Sequence, residues 1–304
     1  MREKTLGYLA ALGATVIWSG NFVVARGVAD AIPPIQLNFW RWVLAFLCTL
    51  PLALPRLRAD WPGMRRHAGY LSFMALAGVT AMNALIYKAG QTTESINMAL
   101  LLPTAPVMIL VLSRMVYAEP ITPRRLLGLV VVLGGVLTLI SRGEWQNILA
   151  VRFTAGDLWA LAGAASFALY SLFIRRRPAG ISIAGFNAAT FLLGTVFSVP
   201  LLGWEMLVMP APQWTTPVLA GIVYSGVGCS FLAYLLWTRA IAGIGPVSAG
   251  MVYYTIPLFV AVEGLYILGE HITLVHVAGG VLIVAGIVIA TVPLRVPRLF
   301  GHAR

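Results

Sequence analysis

The sequence predicts an all-α integral membrane protein: ten transmembrane helices as two inverted five-helix repeats, with both termini cytoplasmic. Three observations predict it. Hydrophobic residues make up 60% of the 304-residue chain and charged residues only 10%, against about a quarter in soluble domains. Apolar runs of about 20 residues, the length that crosses about 30 Å of hydrocarbon, recur from end to end. Third, AEPITPRRLLGLVVVLGGVLTLI, from Ala118 to Ile140, returns as GEHITLVHVAGGVLIVAGIVIAT, from Gly269 to Thr291, which places Glu119 and Glu270 151 residues apart. A membrane β-barrel would instead show alternating segments of about ten residues.

With a window of about 19 residues, the first span covers 7–27, and the second, opened by Pro33-Pro34, covers 34–54. Pro55 and four arginines separate it from the third, 69–88; the fourth covers 95–116, and Glu119-Pro120 leads into the fifth, 123–141. The second half repeats this order with 156–175, 183–203, 216–239, 246–267 and 273–294, its turns marked by Pro178, Pro210 and Pro212. The repeats are therefore expected over 1–145 and 153–296. Arg2, Lys4 and the Ala29-Asp30-Ala31 triplet resemble a cleavable leader. Retention is expected instead, because the run from Leu6 to Ala25 is long enough to span and its removal would break the repeat.

The net charge of +11 would suit a nucleic-acid partner if it were gathered into one patch. Instead the basic residues lie in short loops, where they report orientation. With the N-terminus inside, sixteen fall on the inner side, among them Arg56, Arg58, Arg65, Arg66, Arg124, Arg125 and Arg175 to Arg177. Four fall outside (Arg26, Lys88, Arg142 and Arg152), and Arg41 lies within a span. Trp204 and Trp214 bracket an outer loop, as interfacial aromatics do. Cys48 and Cys229 sit in apolar segments and read as small core residues.

The repeat extends beyond its most obvious stretch. At the offset of 151, Lys88 aligns with Arg239, Thr104 with Thr255, Pro106 with Pro257 and Gly128 with Gly279. At 149, Arg26 aligns with Arg175, Asn38 with Asn187 and Pro51 with Pro200. Five spans per half is an odd number, so the second half enters the membrane from the opposite side. That explains why Arg124-Arg125 has no basic counterpart between His271 and His276. Inverted repeats place a pseudo-two-fold axis in the membrane plane, a substrate site near the midplane, and two exchangeable conformations. A duplication that only enlarged a bundle is the plainer alternative.

These residues resemble the drug/metabolite transporter superfamily, specifically its EamA-type proteins, over essentially the whole chain. The resemblance rests on IWSGNFVVARG, on PPIQLNFWRWVLAFL, and on the proline-bearing fourth span followed by Glu119 and a Gly-rich fifth span. The chain looks most like the YddG-type amino acid exporters. The resemblance implies a ten-helix carrier with inverted five-helix repeats that exports amino acids or other metabolites. Pro120, where many relatives have a basic or polar residue, departs from the pattern in a loop.

Polar groups in the hydrocarbon zone are costly unless they pair or face a cavity. Trp18 and Asn21 share one face of the first span, and Asn83 and Tyr87 share one face of the third. Asn21 aligns with Tyr170, Asn83 with Tyr234 and Trp18 with Phe167, so both halves offer polar or aromatic groups at matching places. Tyr253 and Tyr254 stand just before Pro257. Together Trp18, Asn21, Asn83, Tyr87, Tyr170, Tyr234, Tyr253 and Tyr254 are the candidate cavity lining; interhelical hydrogen bonding explains any one of them singly. Pro103, Pro106 and Pro257 are candidate hinges, since a membrane proline frees a carbonyl one turn earlier. Glu263 is the candidate for ion coupling, and an interfacial position explains it equally. Lys88 and Arg239 are expected to snorkel; Glu119 and Glu270 are expected to cap the helices that follow.

The expected function is export of amino acids, neutral and aromatic with broad specificity, by alternating access at a bacterial-type inner (plasma) membrane. The alternatives are export of another small metabolite or drug, or an intramembrane enzyme. No His-Glu-x-x-His and no pair of intramembrane aspartates supports the enzyme, and no filter sequence supports a channel. The expected partners are a small-molecule substrate and the lipid bilayer, with no nucleic acid, metal or cofactor. A monomer is compatible with the pattern.

Overall fold

The computed structural model describes residues 2–28, 30–90, 103–141, 154–268 and 274–291, with the isolated positions 101, 144, 146 and 149. Among the described residues every regular element is helical. Helix α1 (Arg2–Val28) is followed by α2 (Pro34–Ala53), which starts where Pro33 and Pro34 need no N–H partner. A 3-10 turn (Leu54–Arg56) leads to α3 (Leu57–Arg66), a short amphipathic helix that buries Asp60 and Met64 and exposes Trp61. The third span is α4 (Ala68–Ala75), a π-helical segment (Leu76–Ala81) and α5 (Met82–Gly90). Then come α6 (Thr104–Tyr117) and α7 (Pro123–Ser141).

The second half repeats the order. Helix α8 (Ala155–Ile174) opens with a reciprocal cap between Thr154 and Asp157, and α9 (Ile183–Val208) opens on Ser182, whose hydroxyl accepts from Gly185 N–H at 3.0 Å. Helix α10 (Thr216–Val223), a π-helical segment (Tyr224–Leu232) and α11 (Ala233–Tyr253) carry the chain on to α12 (Ile256–Leu268) and α13 (Leu274–Thr291). Among the described residues, seven stretches are long and apolar enough to cross a membrane, and α6 is a shorter apolar helix. With α1 and α12, a helix stands at each of the ten expected spans.

The boundary between the eighth and ninth spans differs from expectation. Helical geometry runs on past Arg239 to Gly245, whose φ of 78° belongs to the left-handed region, and Pro246 restarts the helix. The ninth span breaks again at Tyr254 and Thr255, before Pro257 in α12. The fourth span turns at the matching place, Pro103, with Pro106 inside α6. Thr104 and Thr255 each bond the carbonyl three residues back, Leu101 and Val252, at 2.5 and 2.8 Å. The two π-helical segments also coincide at the repeat offset. Residues 91–100, where the fourth span is expected to begin, lie outside the described residues.

Packing follows the same symmetry. Helix α1 lies along α11 and α12, and its counterpart α8 lies along α5 and α6; α2 packs on α9, and α7 on α13. A Cβ on Gly128 would stand 2.6 Å from the carbonyl oxygen of Gly286, and one on Gly135 2.7 Å from that of Gly279. As the number rises along one helix it falls along the other, so α7 and α13 are antiparallel. Bare backbones let them approach this closely, which is how membrane helices associate without a hydrophobic drive.

Two buried acids complete the frame. Glu205, at the end of α9, accepts from the N–H groups of Ile35 and Gln36 at 2.9 and 2.8 Å. Asp60, in α3, accepts from the N–H and the hydroxyl of Ser182. Each acid comes from one repeat and meets the orphan donors at the start of the other repeat's second span.

Candidate functional site

Residues that are repeat equivalents and also touch each other must straddle the pseudo-two-fold axis. Trp18 and Phe167 do so with ring centroids 5.8 Å apart, and Trp42 and Phe191 do so at 5.0 Å. The axis therefore runs through an aromatic centre. Tyr234 links the two pairs, 5.8 Å from Trp18, 5.0 Å from Trp42 and 5.8 Å from Phe191. Trp237 lies 5.2 Å from Trp18, Tyr253 lies 5.3 Å from Phe167, and Tyr170 lies 5.5 Å from Tyr234. Each such ring pair contributes about 0.5–1.5 kcal/mol beyond its buried area.

The centre is built on the π-helical segments. A wide turn leaves carbonyls without their usual partner four residues on, and side chains from the neighbouring spans take them up. Trp18 Nε1 donates to Cys229 O at 2.9 Å, Ser166 Oγ to Ala77 O at 2.9 Å, and Tyr234 Oη to Gly78 O at 2.8 Å. Asn83 Nδ2 turns back to Val79 O at 3.1 Å.

Other polar atoms here are unspent. Among the described residues, Asn187 Nδ2 is buried without a hydrogen-bond partner, and the buried Tyr170 Oη makes no well-formed hydrogen bond, with only the Thr238 hydroxyl beside it. Asn187 Oδ1 accepts from Thr238 at 3.2 Å, one turn beyond Tyr234. Buried polar atoms are nearly always paired in folded proteins, so two such atoms beside one aromatic group are informative. A cavity of about 450 Å³ opens at the arginine-rich face, lined by Glu119, Arg175 and Arg177 at its mouth. Its floor includes Ile174 and Ile241, both buried, one turn from Tyr170 and Thr238. At the rim Glu119 is ion-paired with Arg175, and Arg175 and Arg176 lie over the Tyr117 ring at 4.9 and 5.2 Å.

The structure brings Trp18, Tyr170, Tyr234 and Tyr253 together. Asn21 is half-buried on α1, one turn from Trp18. Asn83 sits at the edge with its amide on its own helix. Tyr254 stands apart from the group: it is buried with Ile109, Leu129, Val132 and Ile283 in the second core, where α6 and α7 meet α11 and α13. The reason is helical geometry, since neighbours in sequence point about 100° apart. The Tyr87 side chain lies outside the described residues. Pro103 and Pro257 flank the helix breaks and Pro106 lies buried within α6. Glu263 is half-buried, its Oε1 2.7 Å from Ser19 Oγ. Lys88 and Arg239 are exposed, and Arg41 is buried, its Nε donating to Ser230 Oγ at 2.7 Å.

Sequence reasoning missed Trp42, Phe191, Trp237 and Asn187 as parts of the centre. The offset that aligned Asn38 with Asn187 also aligns Trp42 with Phe191, and that signal was available.

A model of the EamA-like transporter family matches residues 5–141 and again 154–292. An "Uncharacterized transporter" of Archaeoglobus fulgidus is 27% identical, covering 96% of this chain and 98% of its own length. A "Probable amino-acid metabolite efflux pump" of Salmonella typhimurium is 25% identical, covering 96% of each chain. A solved crystal structure superposes with a TM-score of 0.79 at 19% identity, over 94% of this chain and 96% of the other, which shows a shared fold.

Proposed function

The chain belongs to the EamA-like transporter family and is a multi-pass plasma-membrane protein, and on that premise we propose that it exports amino acids, neutral and aromatic, by alternating access through the aromatic centre shared by its repeats. One observation carries the reading: rings from both halves enclose the pseudo-two-fold axis, with Tyr170 Oη and Asn187 Nδ2 left unspent beside them. Two donors suit a carboxylate, and Tyr170 Oη can also accept from an ammonium group; carbonyls at the helix breaks offer further acceptors. Aromatic walls suit an apolar or aromatic side chain. The Salmonella relative's printed name points the same way.

The rings here fill the space a cargo would take, so passage requires rearrangement. The breaks at Pro103 and at Tyr254–Thr255, and the two π-helical segments, are where helices can bend without losing a complete hydrogen-bond ladder. Ile174 and Ile241 would form the seal between the cavity at the arginine-rich face and the centre. By the positive-inside bias that face is cytoplasmic, so it is the loading side for export. A panel of labelled neutral, aromatic, acidic and basic amino acids, offered to purified protein in liposomes, tests the assignment. Flux of the first two classes above empty liposomes is expected; the absence of flux for every class would overturn it.

A further inference from the structure

Between the second and third spans the chain needs only to turn round, yet it builds a further helix there, α3. Helices α2 and α4 both pack on α9, and α3, which joins them, packs on α9 as well. Helix α3 therefore crosses the end of α9 that the positive-inside bias makes cytoplasmic. It is pinned in that place. Asp60 accepts from the N–H of Ser182 at 3.2 Å and also from its hydroxyl. Met64 is buried, and a Cβ on Gly63 would stand 3.0 Å from the Ile181 side chain.

A pinned helix presents fixed faces, and these are sorted by chemistry. At about 100° per residue, Leu57 and Trp61 stand about 60° round from the buried Asp60–Met64 pair, and Arg58 and Arg65 about 130° round in the same direction. Arg66 stands about 140° round the other way. Trp61 is 54% exposed, Leu57 39%, and Leu54, just before the helix, 55%. The three arginines are exposed too. A cavity of about 400 Å³ opens between Leu57, Arg58 and Trp61. Since Asp60 and Met64 face the protein, the Leu57–Trp61 face looks sideways to the hydrocarbon and the Arg58–Arg65 flank lies at headgroup depth. Among the described residues no acid forms an ion pair with these arginines, because both ion pairs belong to Glu119.

Topology asks for arginines somewhere in an inner loop. It does not ask for two of them beside an exposed apolar pair on a pinned helix. The other repeat turns without them: at the offset of 149, Leu57, Arg58, Arg65 and Arg66 correspond to Met206, Leu207, Trp214 and Thr215. An apolar ledge bordered by guanidinium groups complements a molecule with acyl chains and a phosphate, and the cytoplasmic leaflet is the one that carries anionic lipid.

We propose that α3 carries a binding site for an anionic phospholipid of the cytoplasmic leaflet. Arg58 and Arg65 take the phosphate, whose oxygens match the guanidinium fork, and Leu54, Leu57 and Trp61 bear an acyl chain. Because α3 belongs to the first repeat and is pinned to the second, the bound lipid steadies the seam between them. The site is independent of which cargo the protein carries.

Thermal unfolding of the full chain in a neutral detergent, titrated with phosphatidylglycerol or phosphatidylcholine, tests the site, since a ligand of the folded state raises the melting temperature. One arginine near an anionic surface contributes about fivefold in affinity. Phosphatidylglycerol should therefore stabilise wild type at a concentration about tenfold or more below that of phosphatidylcholine. Arg58→Gln combined with Arg65→Gln should abolish that difference, whereas Arg66→Gln should keep it. All three substitutions lie on exposed side chains, and without lipid each variant should melt with wild type. Glycerol 3-phosphate, which has a phosphate and no chains, should leave the melting temperature unchanged. Equal potency of the two lipids on wild type, an undiminished difference in the double variant, or an equal loss in Arg66→Gln would each overturn the site. Stabilisation by glycerol 3-phosphate as strong as by the lipid would overturn the lipid in favour of a free phosphate.

Discussion

Trp42 and Phe191 hold equivalent places in the two repeats, and their rings meet with centroids 5.0 Å apart. Two equivalent residues in contact fix where the pseudo-two-fold axis passes. They also imply that the pair can be exchanged. Trp42→Ala should cost about 3–5 kcal/mol, as large aromatic deletions do. The double exchange Trp42→Phe with Phe191→Trp should cost only about 1 kcal/mol, mainly for the lost bond from Trp42 Nε1 to Asn38 Oδ1. Thermal unfolding in detergent checks both.

The antiparallel pairing of α7 and α13 predicts a contrast between two neighbouring glycines. A Cβ at Gly128 meets the Gly286 carbonyl oxygen at 2.6 Å, and backbone cannot step aside; a Cβ at Gly134 meets nothing within 4 Å. Gly128→Ala should therefore destabilise by about 1–3 kcal/mol, whereas Gly134→Ala should be neutral or gain up to about 1 kcal/mol from helix propensity. The same unfolding assay decides it, and equal behaviour would mean the helices do not pack through this face.

Much of this frame was legible in the sequence. The Glu-x-Ile-Thr repeat and the arginine asymmetry disclose the inversion, and prolines at matching offsets mark the broken fourth and ninth spans. The π-helical segments were not legible. LAGVTA and YSGVGCSFL carry no proline, and their wide turns depend on partners from other spans, Trp18, Ser166 and Tyr234. Gly245 was missed because its left-handed φ is set by the chain's re-entry at Pro246 and not by its apolar surroundings. In the centre, attention to polar residues found Tyr170 and Tyr234 but passed over Trp42 and Phe191. For Asn83, expected in the cavity lining, a sequence cannot show that its Nδ2 donates to Val79 O of its own span.

Tyr170 offers a test that a structural role would fail. Its hydroxyl is buried and makes no well-formed hydrogen bond, with only the Thr238 hydroxyl beside it, so Tyr170→Phe should leave the empty protein as stable as wild type or more so, by up to about 1 kcal/mol. The same change should weaken thermal stabilisation by added phenylalanine about tenfold in effective concentration, the worth of one hydrogen bond to a charged group. Lowered stability of the empty protein would show instead that the hydroxyl has a partner in the fold.

The seal under the arginine-rich cavity can be probed from outside the protein. Ile241 and Ile174 line the cavity, Ile241 one turn along its helix from Thr238. A cysteine at Thr238 should react slowly with a membrane-impermeant thiol reagent, in a background with Cys48 and Cys229 replaced. Adding Ile241→Ala should speed labelling at least several-fold, from the cavity side only. Breaking the Glu119–Arg175 pair with Glu119→Gln should matter less, because partly exposed ion pairs contribute about 0–1 kcal/mol.

Counterflow of labelled phenylalanine in liposomes, run side by side for wild type, Trp18→Ala and Tyr170→Phe at equal reconstitution, tests most directly whether cargo passes through the aromatic centre. The account predicts exchange by wild type well above empty liposomes, and a loss of about tenfold or more in both variants. Wild-type exchange that both variants match would contradict it, and would place the path outside the rings that the two repeats share.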